Sequence, residues 1–286
     1  MTDFIKPYFD LLICTPLEVE FLTCLDFFPF VADHSQGGQI QVAVRIPGTT
    51  LTALLIRPYK MGRAEASEAC VTALGFADFG MAVCIGIAGA ISNDLNIGDV
   101  CHTGEVWDVL DNASVSQVGD SGMELFLSPT TYETPRSLTT AFNLTRVLPD
   151  SRKMYIAWQE ERFSISKTLI TRTFPGKNKS SETIQTPKCL DGAILCAQVT
   201  KSTKYKEKMK SLHRHVLAVE TESGSIFQVC KRYTLPVITV RGISDYADED
   251  KNAFETATEG HARSIAAINA VSYLALQLSQ THIIIF

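Results

Sequence analysis

The 286-residue chain has no apolar run approaching the roughly 20 residues that span a bilayer, and its apolar tail, HIIIF, is too short to anchor one. Its first residues, MTDFIKPYFD, lack the basic stretch followed by an apolar one that marks a signal peptide. No CxxC pair and no Cys/His ligand spacing occurs among the cysteines at 14, 24, 70, 84, 101, 189, 196 and 230. They are expected as buried, reduced thiols of a cytoplasmic protein, with no metal site. His213 and His215 form an HxH without a third ligand and are expected to be solvated. A formal net charge of −5 is mild and of the wrong sign for a nucleic-acid surface, so no nucleic-acid or membrane partner is expected. Internal repeats and heptads are also absent.

What the sequence does have is apolar material: 45% of its residues are hydrophobic, ample for a large core. Short apolar runs alternate with helical patterns, the mark of an α/β fold. Asp10–Thr15 suits a strand covered on both faces, and a helix follows with Leu17, Phe21, Leu22 and Leu25 on one side. Residues 39–46 and 51–57 flank PGTT as a hairpin. Gly62 then turns the chain into an Ala-rich helix over 64–76. Met81–Ile87 is a buried strand ending in a loop at Ala88-Gly89-Ala90, and residues 98–107 and 192–199 are further strands. Residues 150–190 read as an irregular, basic surface excursion, 201–214 as a helix with a solvated face, and 252–278 as helical. The expected architecture is one domain over 1–286. It is a three-layer α/β sandwich whose central mixed, largely parallel sheet is flanked by helices.

The stretch AVETESGSIFQVCKRYTLPVITVRGISDYAD, residues 218–248, carries the chemistry. Val216–Val219 is strand-like, Ser223–Tyr233 helical and Leu235–Val240 a strand, a spacing that predicts a parallel crossover. That arrangement puts Glu220 and Glu222 on the sheet edge where Arg241, Ser244 and Asp245 emerge. Strands ending at Thr15 and Ile87 add Glu18 and the Ala88-Gly89 loop to the same edge. Carboxylates among small residues, with one arginine and no metal set, suit acid/base work on a neutral, hydroxyl-rich ligand. One carboxylate can accept two vicinal ribose hydroxyls, a second can activate water, and a third, held protonated, can act as an acid. Such a kit cleaves a glycosidic bond through an oxocarbenium-like transition state.

These residues resemble the nucleoside phosphorylase/nucleosidase superfamily, and more closely the methylthioadenosine/S-adenosylhomocysteine nucleosidases and related nucleosidase effector domains. VETES followed by VRGISDYAD is similar to the family's ribose-binding Val-Glu-Met-Glu-Ala and catalytic Val-Arg-x-Ile-Ser-Asp segments. Gly86-Ile87-Ala88-Gly89-Ala90 followed by Ile97-Gly98-Asp99-Val100 looks like its glycine-rich loop and next strand, and Thr15-Pro16-Leu17-Glu18 like the segment bearing the water-activating glutamate. The resemblance implies a nucleoside phosphorylase-like fold without cofactor. It also implies Asp245 as the acid at purine N7 steadied by Ser244, and Glu222 on the 2′ and 3′ hydroxyls. Glu18 would activate water, with Glu20 as the alternative one register away, and Glu220 and Arg241 in support. Val199 and Thr200 fall where the base is held, and Thr221 where relatives press a methionine on the ribose. Ile87 replaces a frequent serine, and Cys196-Ala197-Gln198 replaces a Ser-Gly-Asp/Asn segment.

The implied activity is hydrolysis of a purine nucleoside or nucleotide. The alternatives are a phosphate-dependent purine nucleoside phosphorylase and a non-catalytic nucleoside-binding member of an assembly. Cys84 and Ile87 occupy the family's phosphate-holding positions, and Arg57, Lys60 and Arg63 do not form a convergent set, so water is the favoured nucleophile. Lys201 and Lys204 lie beside the base segment, within reach of a 5′-phosphate. Relatives are homo-oligomers, and a branch fused to or encoded with immune sensors cleaves nucleotides such as ATP, which leaves room for a regulatory partner.

Overall fold

The computed structural model describes residues 5–36, 38–109, 114–118, 122–173 and 185–280. Strand β1 (Tyr8–Cys14) leads through helix α1 (Glu18–Phe27) to an antiparallel run of β2 (Phe30–Asp33), β3 (Ile40–Arg45) and β4 (Thr52–Arg57). Helix α2 (Arg63–Phe76) precedes the long β5 (Asp78–Ala90), then β6 (Val100–Asp108). A separate hairpin, β7 (Ser114–Val118) and β8 (Gly122–Phe126), is followed by β9 (Thr130–Glu133), α3 (Arg136–Leu144) and α4 (Pro149–Thr173). The remainder is β10 (Cys189–Cys196), α5 (Thr203–Lys210), β11 (Val216–Glu220), α6 (Ser223–Arg232), β12 (Val237–Asp245), α7 (Lys251–Ala257) and α8 (His261–Leu278).

One mixed sheet runs β11-β10-β6-β12-β5-β1-β4-β3-β2, with β9 paired to β6. Its middle strands are continuous apolar runs because both faces are covered. Side chains of β1 alternate between the two: Leu11 and Ile13 pack with α1, α4 and α8, whereas Leu12 and Cys14 pack with α2 and α6. The three-layer sandwich is as the sequence predicts, and among the described residues no helix is long and apolar enough to cross a membrane. All eight cysteines are buried and free.

The predicted parallel crossover is not what brings the site together. Strands β11 and β12 are separated by β10 and β6, and β12 runs antiparallel to β6. The long β5 makes the junction instead. It pairs parallel with β12 up to Asp245 opposite Gly89, then antiparallel with β11, where Val219 faces the same Gly89. Ala88-Gly89-Ala90 is therefore strand rather than loop, and the ends of β11 and β12 converge on it.

Residues 150–173 are the second departure: they form α4, not an irregular excursion. Ser151, Tyr155, Trp158, Arg162 and Ser166 are buried at helical spacing. Trp158 stacks on Tyr155 and donates its indole N–H to Ser272 Oγ of α8 at 2.9 Å. Residues 174–184 and the HIIIF tail lie outside the described residues.

Candidate active site

A cavity of about 290 Å³ opens where β5, β11, β12 and the start of α1 meet. It is near the lower end of the ~300–1,000 Å³ typical of small-ligand sites. Asp245, the last residue of β12, lines it. Its Oδ1 accepts the Ala247 N–H at 2.9 Å, and its Oδ2 lies 2.9 Å from Ser244 Oγ. A Cβ on Gly89 would stand 2.8 Å from Asp245 Oδ1, so only glycine lets the strand pass this close.

Glu20 lines the same cavity from α1. Its Oε2 accepts the Leu17 N–H at 2.7 Å, the reach-back half of a capping box, and its Oε1 accepts the Ile87 N–H of β5 at 2.8 Å. Burial pushes its carboxyl up to about 7, against the opposing pull of Arg241 and those two N–H groups. A carboxyl poised there is suited to proton transfer near neutrality. The expectation for Glu18 is not met. Its side chain is 66% exposed and lies 3.5 Å from Arg57 Nη2, away from the cavity. The cause is helical phase. Leu17, Glu20, Phe21 and Cys24 share the inward face of α1, and Glu18 falls off it.

Glu222 immediately precedes α6 and lines the cavity, with Oε1 accepting the Gly62 N–H at 3.2 Å and the Thr221 hydroxyl. Gly62 turns there at φ +119°, a conformation side chains rarely adopt. Burial and the neighbouring Glu220 raise the Glu222 carboxyl. Glu220 reaches the cavity wall, but both its oxygens are taken. They accept from the N–H groups of Glu222 and Ser223 at 3.0 and 2.9 Å, from Ser223 Oγ and from Arg241. Arg241 does not reach the cavity at all. It is buried behind Glu220, and its Nη2 donates to Cys84 Sγ at 3.0 Å. A Cβ on Gly86, which is opposite Arg241 in register, would overlap Glu20 and Arg241 together. Ala88, Gly89, Val199, Thr200, Thr221 and Ser244 all line the cavity.

Two groups were not legible as site residues. Lys251, at the start of α7, brings its ammonium 2.9 Å from Asp245 Oδ2, and Arg263 of α8 lines the cavity while pairing with Glu255 at 2.9 Å. His213 is 3.7 Å from Glu105, and among the described residues no cluster of His, Cys, Asp and Glu can hold a metal ion.

The family model described as the Phosphorylase superfamily matches residues 36–278. The chain belongs to that superfamily. Among solved structures, futalosine hydrolase of Helicobacter pylori strain 26695 superposes with a TM-score of 0.65 at 17% identity, over 95% of this chain and 97% of that one. The 5′-methylthioadenosine/S-adenosylhomocysteine nucleosidase of the same species superposes at 0.66 with 16% identity, over 96% and 99%. The Neisseria meningitidis nucleosidase does so at 0.65 with 18%, over 94% and 98%. At these identities the likeness is one of fold. The ATP nucleosidase Cap17 of Escherichia coli (strain KTE188) is 35% identical over 68 residues, 24% of this chain but only 13% of that relative's length. For a phosphorylase-superfamily member, the cation placement is informative: Arg57, Lys60 and Arg63 stay off the cavity wall, whereas Lys201, Lys251 and Arg263 are on it.

Proposed function

We propose that this phosphorylase-superfamily chain hydrolyses the N-glycosidic bond of a purine nucleoside or nucleotide. The observation that carries the reading is Glu20: a buried carboxyl held by two backbone N–H groups, pushed up to about 7, in one cavity with Asp245. In this reading Glu222 accepts the ribose 2′ and 3′ hydroxyls. Asp245, protonated, gives its proton to purine N7 as the C1′–N9 bond breaks; the bonding pair stays on the base, which leaves neutral, and Asp245 is left as a carboxylate. Water adds to the oxocarbenium-like C1′ and gives its proton to Glu20, so the products are free base and a sugar with a C1′ hydroxyl. In this reading the carboxylates face the positive charge that develops on the ribosyl group, and that interaction lowers the barrier.

Water is favoured over phosphate because Ile87 contributes only its N–H beside Glu20, and that N–H is already donated to the carboxylate. Cys84 is buried against Arg241, and burial pushes its thiol well up. The reading includes the cytoplasmic homo-oligomer implied by resemblance.

The test is chromatographic detection of free base from methylthioadenosine, S-adenosylhomocysteine, adenosine, inosine, guanosine, AMP and ATP, with and without phosphate, beside Asp245→Asn. Base release without phosphate, lost in the variant, is expected. Release only with phosphate replaces hydrolysis by phosphorolysis. No release under either condition, with ligand still bound, replaces catalysis by nucleoside binding.

A further inference from the structure

The cavity is bipolar. Glu20, Glu220 and Glu222 line it from α1, the end of β11 and the turn into α6, whereas Lys201, Lys251 and Arg263, the last paired with Glu255, line it from the segments that follow β10 and β12. Those two segments are tied together, since Lys206 Nζ donates to the Tyr246 carbonyl at 2.7 Å and the Thr203 N–H to Glu249 Oε1 at 2.8 Å. The cations therefore gather over one end. No neutral nucleoside needs three of them.

Lys251 is the unusual member. Its ammonium sits 2.9 Å from Asp245 Oδ2, and Ser244 Oγ sits 2.9 Å from the same oxygen. A lysine ammonium only donates, so while both contacts stand that oxygen is an acceptor with no proton to give. Asp245 Oδ1 already accepts from Ala247, so while the Lys251 contact stands both oxygens are engaged as acceptors. The contact is built to be broken. Helix α7 has no buried residue, and residues of positive φ bracket it, Ala247 at 52° before, Glu259 at 49° and Gly260 at 78° after. Glu255 of α7 pairs with Arg263 of α8 at 2.9 Å, a contact itself open to exchange with another anion.

We propose that Lys251 is a latch that an anionic phosphate on the substrate releases, so that hydrolysis is coupled to recognition of a nucleotide rather than a nucleoside. The inference rests on the hydrolase reading above. A phosphate brought to the cationic end draws the Lys251 ammonium away. Asp245 then takes a proton from solvent and passes it to N7, while the attacking water gives one to Glu20. A neutral nucleoside leaves the latch closed. Lys251 is thus a specificity-determining residue.

The experiment compares base release from adenosine and AMP, and from inosine and IMP, by the wild type, Lys251→Met and Lys251→Arg, each checked by melting temperature. The wild type is expected to favour the nucleotide by at least about tenfold in kcat/KM. In Lys251→Met nucleotide cleavage falls while nucleoside cleavage rises, and Lys251→Arg keeps the preference. Adenosine with added inorganic phosphate separates a phosphate carried by the substrate from free phosphate, which is expected not to open the latch. Equal wild-type rates on nucleoside and nucleotide, or a proportional loss on both in Lys251→Met, overturn the latch. No base release by the wild type from any of the four overturns the hydrolase reading instead. Calorimetric titration with AMP and adenosine then still reads Lys251, because unchanged AMP affinity in Lys251→Met removes its anion contact as well.

Discussion

Glu20 Oε1 and the backbone N–H of Ile87 are 2.8 Å apart, and this bond fixes a helix-start carboxylate to the strand at the floor of the cavity. It distinguishes the two candidate glutamates of α1. Glu20→Gln keeps the shape but cannot take a proton, so a loss of about 10² or more in kcat is expected, within the range for a general base. Glu18→Gln removes only a 3.5 Å surface contact with Arg57 and is expected to change kcat by less than about threefold. The reverse order in steady-state assays would return the water-activating role to Glu18.

The same carboxyl sets a pH dependence. As a base it must be ionised, so kcat/KM for a substrate without its own titration is expected to rise with pH through about 7. Its effect on stability has the opposite slope. The ordinary glutamate value of 4.5 is raised to about 7 by burial, so the folded state holds the proton more tightly than the unfolded chain. The stability this contributes is complete below 4.5 and is lost as pH rises through about 7. By linkage that is on the order of 3 kcal/mol between the two limits. Denaturant melts at pH 5 and pH 8 should show the wild type losing stability relative to Glu20→Gln. Parallel losses in both proteins would show that Glu20 is ionised throughout.

Gly86 lies under both Glu20 and Arg241, where a methyl group would overlap the two side chains. Both are buried and tied, so neither can swing aside cheaply. Gly86→Ala is expected to cost about 1–3 kcal/mol of stability, as overpacking does, and to lose most activity because Glu20 is displaced. Chemical denaturation beside a rate measurement checks it. Full activity in a folded variant would mean that Glu20 tolerates displacement.

Arg241 and Glu220 are a buried ion pair whose remaining carboxylate contacts hold the α6 start. Arg241→Met takes the counter-ion from the buried Glu220 carboxylate, with an expected cost of about 3–5 kcal/mol. The double variant Arg241→Met/Glu220→Gln should recover part of that, because the uncompensated charge is gone. An additive double-variant cycle in denaturant melts would show that the pair is not energetically coupled.

Much of this was readable from residues alone, and the failures have physical causes. The buried strands announced themselves because both faces are covered, which makes Leu11–Ile13 and Met81–Ile85 unbroken apolar runs. Ser244 and Asp245 at the end of β12 and Glu222 just beyond β11 stand out in the sequence because strand ends are sequence-local. Helix α4 was not, because its inward stripe of Tyr155, Trp158, Arg162 and Ser166 mixes aromatics with polar residues and conceals the period. Glu18 and Glu20 are two residues apart, and only the phase of α1 separates them. That signal was present in Leu17, Phe21 and Cys24. Lys251 needed the third dimension: α7 carries no apolar stripe that would announce which side faces Asp245.

Lys201 supplies the last prediction. It lines the cavity beside Thr200 on the segment joined to α7 through Thr203 and Glu249, and its side chain is largely exposed. An exposed ammonium contributes modestly to holding a phosphate, since solvent screens it and an extended lysine loses rotamer freedom when it binds. Lys201→Ala is therefore expected to raise KM for AMP by roughly 3- to 10-fold while leaving adenosine within about twofold, with kcat nearly unchanged on both. The split separates it from Lys251, whose removal changes turnover because it acts on Asp245. It also separates it from a base contact, which would weaken AMP and adenosine alike. Equal effects of Lys201→Ala on the two substrates would place this lysine at the base and leave the phosphate to Lys251 and Arg263.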